Sequence, residues 1–380
     1  MKKFFYLGIC LLVLFEVANV FFIMPMPGSQ RMASIDLAYL LYSWRWVFRA
    51  VFAMMIVAGA TSAWRAPGRQ KLAVPASLVL AALVVYATNF MMAADHMFLA
   101  PKSVVMLPAD RNKVDTARLV VGIEIDGEAR AFPVQFIGYH HQVRETVAGK
   151  QVMVSYCTVC RTGRVFSPIV DERSETFRLV GMDHFNAMFE DATTHSWWRQ
   201  ANGEAIAGPS KGKALSEIPS RQVTLAEWLR QHPQSLIMQA DSELKTNYSK
   251  GFDYETGKSR KPLTGTDTVS WHDKAWVVGI TVNGESKAYD WNRLRREGVV
   301  NDVLGGKPIV VALASDRASF CAFVRPSLAT RFVVRRDSLV AGSASYAFSG
   351  QGPAGALEPL SASQEFWHSW KTFQPATTTY

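Results

Sequence analysis

Three apolar stretches crowd the first hundred residues, and they constrain this chain more than anything after them. They run from about Phe4 to Met24, from about Trp46 to Ala63 and from about Leu72 to Ala94. Each approaches the ~20 residues that cross a hydrocarbon core as a helix. The first does not read as a cleavable leader. Its apolar region is too long, Glu16 and Asn19 lie inside it, and no small-x-small cleavage site follows. The expectation is an α-helical membrane segment of three helices over residues 1–100, with the lipid bilayer as its partner.

Positive charge sets the expected orientation. Lys2 and Lys3 precede the first stretch, and the loop WRAPGRQK before the third carries Arg65, Arg69 and Lys71. The loop before the second, PGSQRMASIDLAY, sets Arg31 against Asp36. Lys and Arg gather on the cytoplasmic side, so the N-terminus faces inward and three crossings deliver the rest outside. The chain then reads as a multi-pass protein of the inner (cytoplasmic) membrane with a periplasmic, extracytoplasmic domain. Arg45 and Arg49 lie four apart on one face at the start of the second helix. The plain reading is snorkelling to the interface; the sharper one is a buried functional charge. The net charge of +9 does not point to nucleic acid, because part of it is this topology signal and no nucleic-acid motif accompanies it. Weak attraction to anionic headgroups is the ordinary consequence.

The remainder contains a duplication. VVGIEIDGEARAF from Val120 to Phe132 matches VVGITVNGESKAY from Val277 to Tyr289, at an offset of 157 residues set by Gly122 and Gly279. The offset persists at Gly149/Gly306, Val154/Val311 and Phe166/Phe323, and TLAEWLRQHP near Trp228 echoes EFWHSWKTFQP near Trp370. Asp126-Gly127 and Asn283-Gly284 between Val- and Ile-rich runs signal hairpins. Helical patterns are short, around Phe185–Glu190, Leu225–Gln231 and Trp291–Glu297. The expected fold is mainly β, a β-rich α+β extracytoplasmic domain of two related lobes, residues 101–260 and a degenerate 261–380.

Chemistry is expected in the first lobe. The stretch SYCTVCRTGRVF places Cys157 and Cys160 in a Cys-x-x-Cys, whereas the offset maps them onto Ala314 and Arg317. Haem attachment is excluded, since Arg161 stands where His is required. A hairpin ending in Cys157 puts His141 opposite it if the loop is Ala148–Lys150, His140 if the loop is Ala148-Gly149, and Gln142 if it is Gly149-Lys150. One histidine, with Arg161 and Arg164, would favour the reactive thiolate. Three readings stay open: a thiol–disulfide pair, a copper or zinc site, and an inert disulfide. The metal set would be Cys157, Cys160, His141 and the remote His184. As a structural staple the bridge would close too short a loop to stabilise much. Cys321 reads as a buried small hydrophobe and Cys10 as inert within the first helix. Trp197-Trp198 reads as core, and the acidic residues near the motif, Asp183, Glu190 and Asp191, form no paired-carboxylate signature.

VVGIEIDGEARAFP, YHHQVRETVAGKQVMVSYCTVCRTGRVFSP and RLVGMDHFNAMFEDATTHSWWRQANGEAIAGP together resemble a bacterial family known as domain of unknown function 3179. The resemblance covers most of Leu119 to about Pro233 and, more loosely, the second lobe. Some members are read as selenoproteins with selenocysteine at one cysteine of the motif, so the resemblance implies redox chemistry over zinc. The assignment it favours is Cys157 as attacking thiol, Cys160 as resolving thiol, His141 or His140 as base and Arg161 as thiolate stabiliser. The partner would be a thiol protein, or a metal-delivery protein on the metal reading.

Overall fold

The computed structural model describes residues 1–65, 67–353 and 355–380. They form two compact units. The first comprises residues 1–99, 176–199 and 204–213; the second comprises residues 100–175, 200–203 and 214–380.

In the first unit, three helices are long and apolar enough to cross a membrane, over Lys2–Phe21, Arg45–Trp64 and Gln70–Met91. With no water to bond the backbone, a helix is the structure that satisfies such a segment internally. We label α1 (Lys2–Phe21), α2 (Ile35–Ser43), α3 (Arg45–Trp64) and α4 (Ala73–Tyr86). α4 runs on into a π-helical turn, Ala87–Met91. The short α2 falls where the sequence was read as a loop. Small residues let α1 and α3 approach: a Cβ at Gly59 would lie 2.4 Å from the Phe5 backbone nitrogen. Of the charges that set the expected orientation, the Arg69 side chain lies outside the described residues.

The same unit holds a four-stranded antiparallel sheet in the order Ala205–Ala207, Trp197–Arg199, Asn186–Asp191, Phe177–Asp183. The stretch 185–190, expected as helix, is therefore mostly strand. Its apolar run is too short for periodicity to decide, and His184 and Phe185, both at positive φ, make the turn that pairs Asn186 with Asp183. The Met182 amide donates to the Ile23 carbonyl at 2.7 Å, which fixes the sheet just beyond the end of α1. Trp197 and Trp198 are core, as expected, with their indole N–H groups on Glu190 and Asp191.

The second unit is β-rich, built from several small sheets. One run of elements occurs at two places in it. Strands Leu119–Ile125 and Glu128–Pro133, helix Val134–His140, then strands Gln142–Val147, Lys150–Cys157 and Thr162–Phe166 make the first. Strands Trp276–Val282 and Glu285–Asp290, helix Trp291–Glu297, then Val299–Leu304, Lys307–Leu313 and Phe320–Val324 make the other. The turns agree as well: Asp126-Gly127, Ala148-Gly149, Asn283-Gly284 and Gly305-Gly306 all hold positive φ, the conformation that suits two-residue hairpins. Each run also lays a tryptophan on a glycine. A Cβ at Gly122 would lie 2.4 Å from Trp228, and one at Gly279 would lie 2.2 Å from Trp370.

Candidate functional site

The hairpin that carries the cysteines turns at Ala148-Gly149, with Val147 opposite Lys150 and Gln142 opposite Ser155. The ladder stops there. The chain before Gln142 is the helix Val134–His140, and His141 at φ 60° turns it into the strand. Neither His140 nor His141 therefore faces Cys157 across a ladder, a correction to the sequence reading. Pro133 is the N-cap residue of this helix and supplies no side-chain cap.

Both histidines are buried all the same. His140 Nε2 lies 2.7 Å from the Tyr248 hydroxyl. His141 Nδ1 lies 2.9 Å from the Tyr156 carbonyl oxygen. A carbonyl only accepts, so Nδ1 carries the proton and Nε2 is the acceptor of the neutral ring. Burial pushes the His141 pKa down to about 4, against the pull of that carbonyl, so the ring is neutral at physiological pH.

Cys157 ends its strand opposite Thr162, and Cys160 sits in the intervening turn Thr158–Arg161. Both cysteines are wholly buried. The turn is clamped through its carbonyls. Tyr254 Oη donates to Thr158 O at 3.0 Å, Lys274 Nζ and His368 Nε2 donate to Val159 O at 3.2 and 3.1 Å, and the Phe366 amide donates to Cys160 O at 2.9 Å.

Arg161 closes the turn at φ 58°, a backbone that costs roughly 1–3 kcal/mol in a non-glycine residue. Its side chain supplies the restraint. The guanidinium lies 3.6 Å from the Trp276 ring centroid and donates to Gln364 Oε1, Tyr254 O and Glu255 O at 2.9–3.0 Å. Arg164 pairs with Glu365 at 2.6 Å. The two arginines expected to favour a thiolate thus direct these donors to other groups.

Lys274 is a cation in electrostatic reach of both sulfurs. Burial pushes its pKa down, while negative charge at Cys160 and Cys157 acts in the opposite sense. His368 is pushed down to about 4 by burial, with Lys274 adding to the effect. Tyr254 is held well above the ordinary phenol range by burial; its hydroxyl is 3.2 Å from that of Tyr156. Lys274 and His368 were missed in the sequence because the chemistry had been assigned to the first lobe alone, and Tyr254, within that lobe, because it lies 96 residues from Thr158 along the chain. A signal was present. The offset sets Lys274 against Ala117, and the matching tryptophans set His368 against Ala226: the two matched segments differ at the residues that meet the cysteine turn.

His184 belongs to the first unit, where its Nδ1 is 2.6 Å from Asp183 Oδ1. Among the described residues, no group of three or more His, Cys, Asp or Glu side chains is gathered as metal ligands would be. Cys321 is buried, its thiol pushed up to about 12 by burial; it is a core residue.

No curated protein and no solved structure matches the chain. Residues 102–377 match the family described as Protein of unknown function (DUF3179), a span that holds the cysteine turn and every residue that clamps it. With most of its length inside that match, the chain belongs to this family.

Proposed function

We propose that this is a membrane-anchored protein with its β-rich segment outside the cytoplasm, and that Cys157 and Cys160 form a thiol–disulfide couple. The observation that carries the reading is Lys274, a partly desolvated cation acting on both sulfurs; His141, bonded to the carbonyl of the residue before Cys157, supports it with an Nε2 that is an acceptor. Cys157 would lose its proton to His141 and attack a partner disulfide, releasing one partner thiol and forming a mixed disulfide. Cys160 would then displace the second partner thiol, leaving the Cys157–Cys160 bridge and a partner reduced by two electrons. Arg161 would hold the turn, with Lys274 stabilising the thiolate. His140 would act through the Tyr248 hydroxyl, behind His141. Both sulfurs are buried, so the carbonyl clamp must open first. On the same reading, the two matched runs are copies of one ancestral unit, now residues 101–260 and 261–380.

The test is the intact mass of the full chain purified without reductant, followed by native alkylation. A mass two hydrogens light, restored by a mild dithiol, supports the couple. In Lys274→Met, alkylation at neutral pH should slow by up to about tenfold, the change that accompanies ~1.4 kcal/mol of lost charge stabilisation. A mass heavier by one metal ion that vanishes in Cys157→Ser would replace this reading with copper or zinc handling. A bridge reducible only after denaturation would make it an inert staple.

A further inference from the structure

The first unit contains a second polar assembly, inside its apolar helices. Glu16 of α1 is 1 % exposed and accepts from Arg49 of α3 through both carboxylate oxygens, at 2.6 and 2.8 Å. Asn89, in the π-helical turn, accepts from Arg49 at 2.6 Å and donates to Glu16 at 2.9 Å. The Arg49 side chain is 18 % exposed and directs its guanidinium to Glu16 and Asn89. The cluster lies at one end of the helices, with Glu16 about 7 Å inside the last residue of α1 at 1.5 Å per residue.

A cavity of about 220 Å³ opens beside it, lined by Glu16, Asn19, Tyr42, Arg45, Asp95 and Arg178 among others. Two lining groups stand out. Both polar atoms of the Asn19 amide are buried with no hydrogen-bond partner among the described residues, a costly state in an apolar setting. Arg45 has no carboxylate partner among the described residues. Its Nη1 donates to the Tyr42 carbonyl at 2.6 Å, and its guanidinium lies 4.0 Å over the Tyr42 ring, which fixes its direction. Arg178, by contrast, is already paired with Asp95 and Glu190, at 3.1 and 2.7 Å.

The segment that leads into and past Arg45 is apolar and exposed. Trp44 and Trp46 on either side of Arg45, and Leu37 and Leu40 of α2, are among the exposed large hydrophobics. Tryptophan marks the headgroup level, and the headgroup layer begins where a ~30 Å apolar helix ends. A ligand here meets an unpaired guanidinium and an unsatisfied amide at one end, and bare apolar surface at the other. A free anion would use the first and leave the second wet. An amphiphile uses both.

We propose that this cavity binds the phosphate of a membrane phospholipid, with Arg45 as its cation, the Asn19 amide as a further donor, and the acyl chains lying along Leu37, Leu40, Trp44 and Trp46. Glu16, Arg49 and Asn89 act as positioning residues that tie α1, α3 and the π-helical turn to one another at this end. The proposal is independent of the cysteine chemistry.

The experiment is native mass spectrometry of the full chain, extracted in mild detergent and washed to remove loose lipid. The wild type should retain one phospholipid. Arg45→Gln should reduce the retained fraction about tenfold, as loss of a charge-assisted contact implies. Arg45→Lys should restore part of it, and Arg65→Gln, at the other end of α3, should leave it unchanged. Asn19→Leu removes the amide without touching a charge, and serves if Arg45→Gln does not fold. No lipid on the wild type, or equal retention across all variants, overturns the proposal. Saturable uptake of added inorganic phosphate without lipid retention also overturns it, in favour of a free-anion site.

Discussion

The turn after Cys157 and the turn after Ala314 hold the same place in two matching runs of elements, yet they are built for different ends. In both, the turn meets the N-cap residue of the helix that carries the other run's tryptophan. The Phe366 amide donates to Cys160 O at 2.9 Å, and the Thr224 amide donates to Ser319 Oγ at 2.9 Å. The second turn is finished by Asp316, which accepts from Thr224 Oγ1 at 2.8 Å and from Ser319. It is a cap made of short polar side chains. The first turn has cysteines instead, and its carbonyls are held by Tyr254, Lys274 and His368. One turn is finished by its own aspartate and serine together with the hydroxyl and amide of Thr224. The other depends on groups distant in sequence, each of them titratable. The two runs agree in their order of elements and turns and differ in the side chains around the sulfurs.

The comparison can be broken at its strongest point first. Trp228→Ala and Trp370→Ala should each cost about 3–5 kcal/mol, read as lost amide-exchange protection in strands Leu119–Ile125 and Trp276–Val282 respectively. A large loss at one and little at the other would end the equivalence of the two runs.

Acid provides a sharper contrast. His141 and His368, both at the first turn, have folded pKa values near 4 against 6.5 when unfolded. Between those values the unfolded chain binds protons that the folded chain does not, so stability is full above about pH 6.5 and falls towards pH 4. The loss should reach about 3 kcal/mol for each ring. Protection of strand Lys150–Cys157 should drop in this window, and His141→Asn or His368→Asn should flatten the drop. Equal acid sensitivity in strand Lys307–Leu313 would place the titration elsewhere. The smallest effect belongs to the second turn: Asp316→Ala should cost about 1–2 kcal/mol and leave cysteine alkylation unaltered. A change in alkylation rate would show that the turns are coupled.

Local signals in the sequence located much of this scaffold. Asp126-Gly127 and Asn283-Gly284 named their hairpins, and the helices at Leu225–Gln231 and Trp291–Glu297 have the bounds expected of them. The helix Val134–His140 was missed although its counterpart at Trp291–Glu297 was read. Asp290, whose carboxylate accepts from the amides of Asn292 and Arg293, announces the latter, whereas Pro133 offers no side-chain cap. The hairpin at His184-Phe185 lacks any glycine, so no turn residue betrayed it. In the membrane segment, Glu16 was visible as an anomaly in α1, but its partner lies 33 residues away on α3, a distance that no local pattern spans. The site was legible to the extent that its residues are neighbours in the chain. Cys157, Cys160 and His141 qualify; Lys274, His368 and Tyr254 do not.

The division of the chain between its two units bears on how the protein is made. Strands 177–207 belong to the first unit, but they leave the ribosome only after the hairpins that carry Cys157, and the chain passes back through residues 200–203 before returning. A nascent chain folds from its N-terminus onward, so the helices are complete long before the sheet that docks on them exists. The first unit is finished only once residue 213 has arrived, and a cut at residue 100 would not yield a free-standing piece. It would leave Trp197 and Trp198 in a sheet parted from the helices it was built with, and an aromatic face of that kind is what quality-control proteases and chaperones seize.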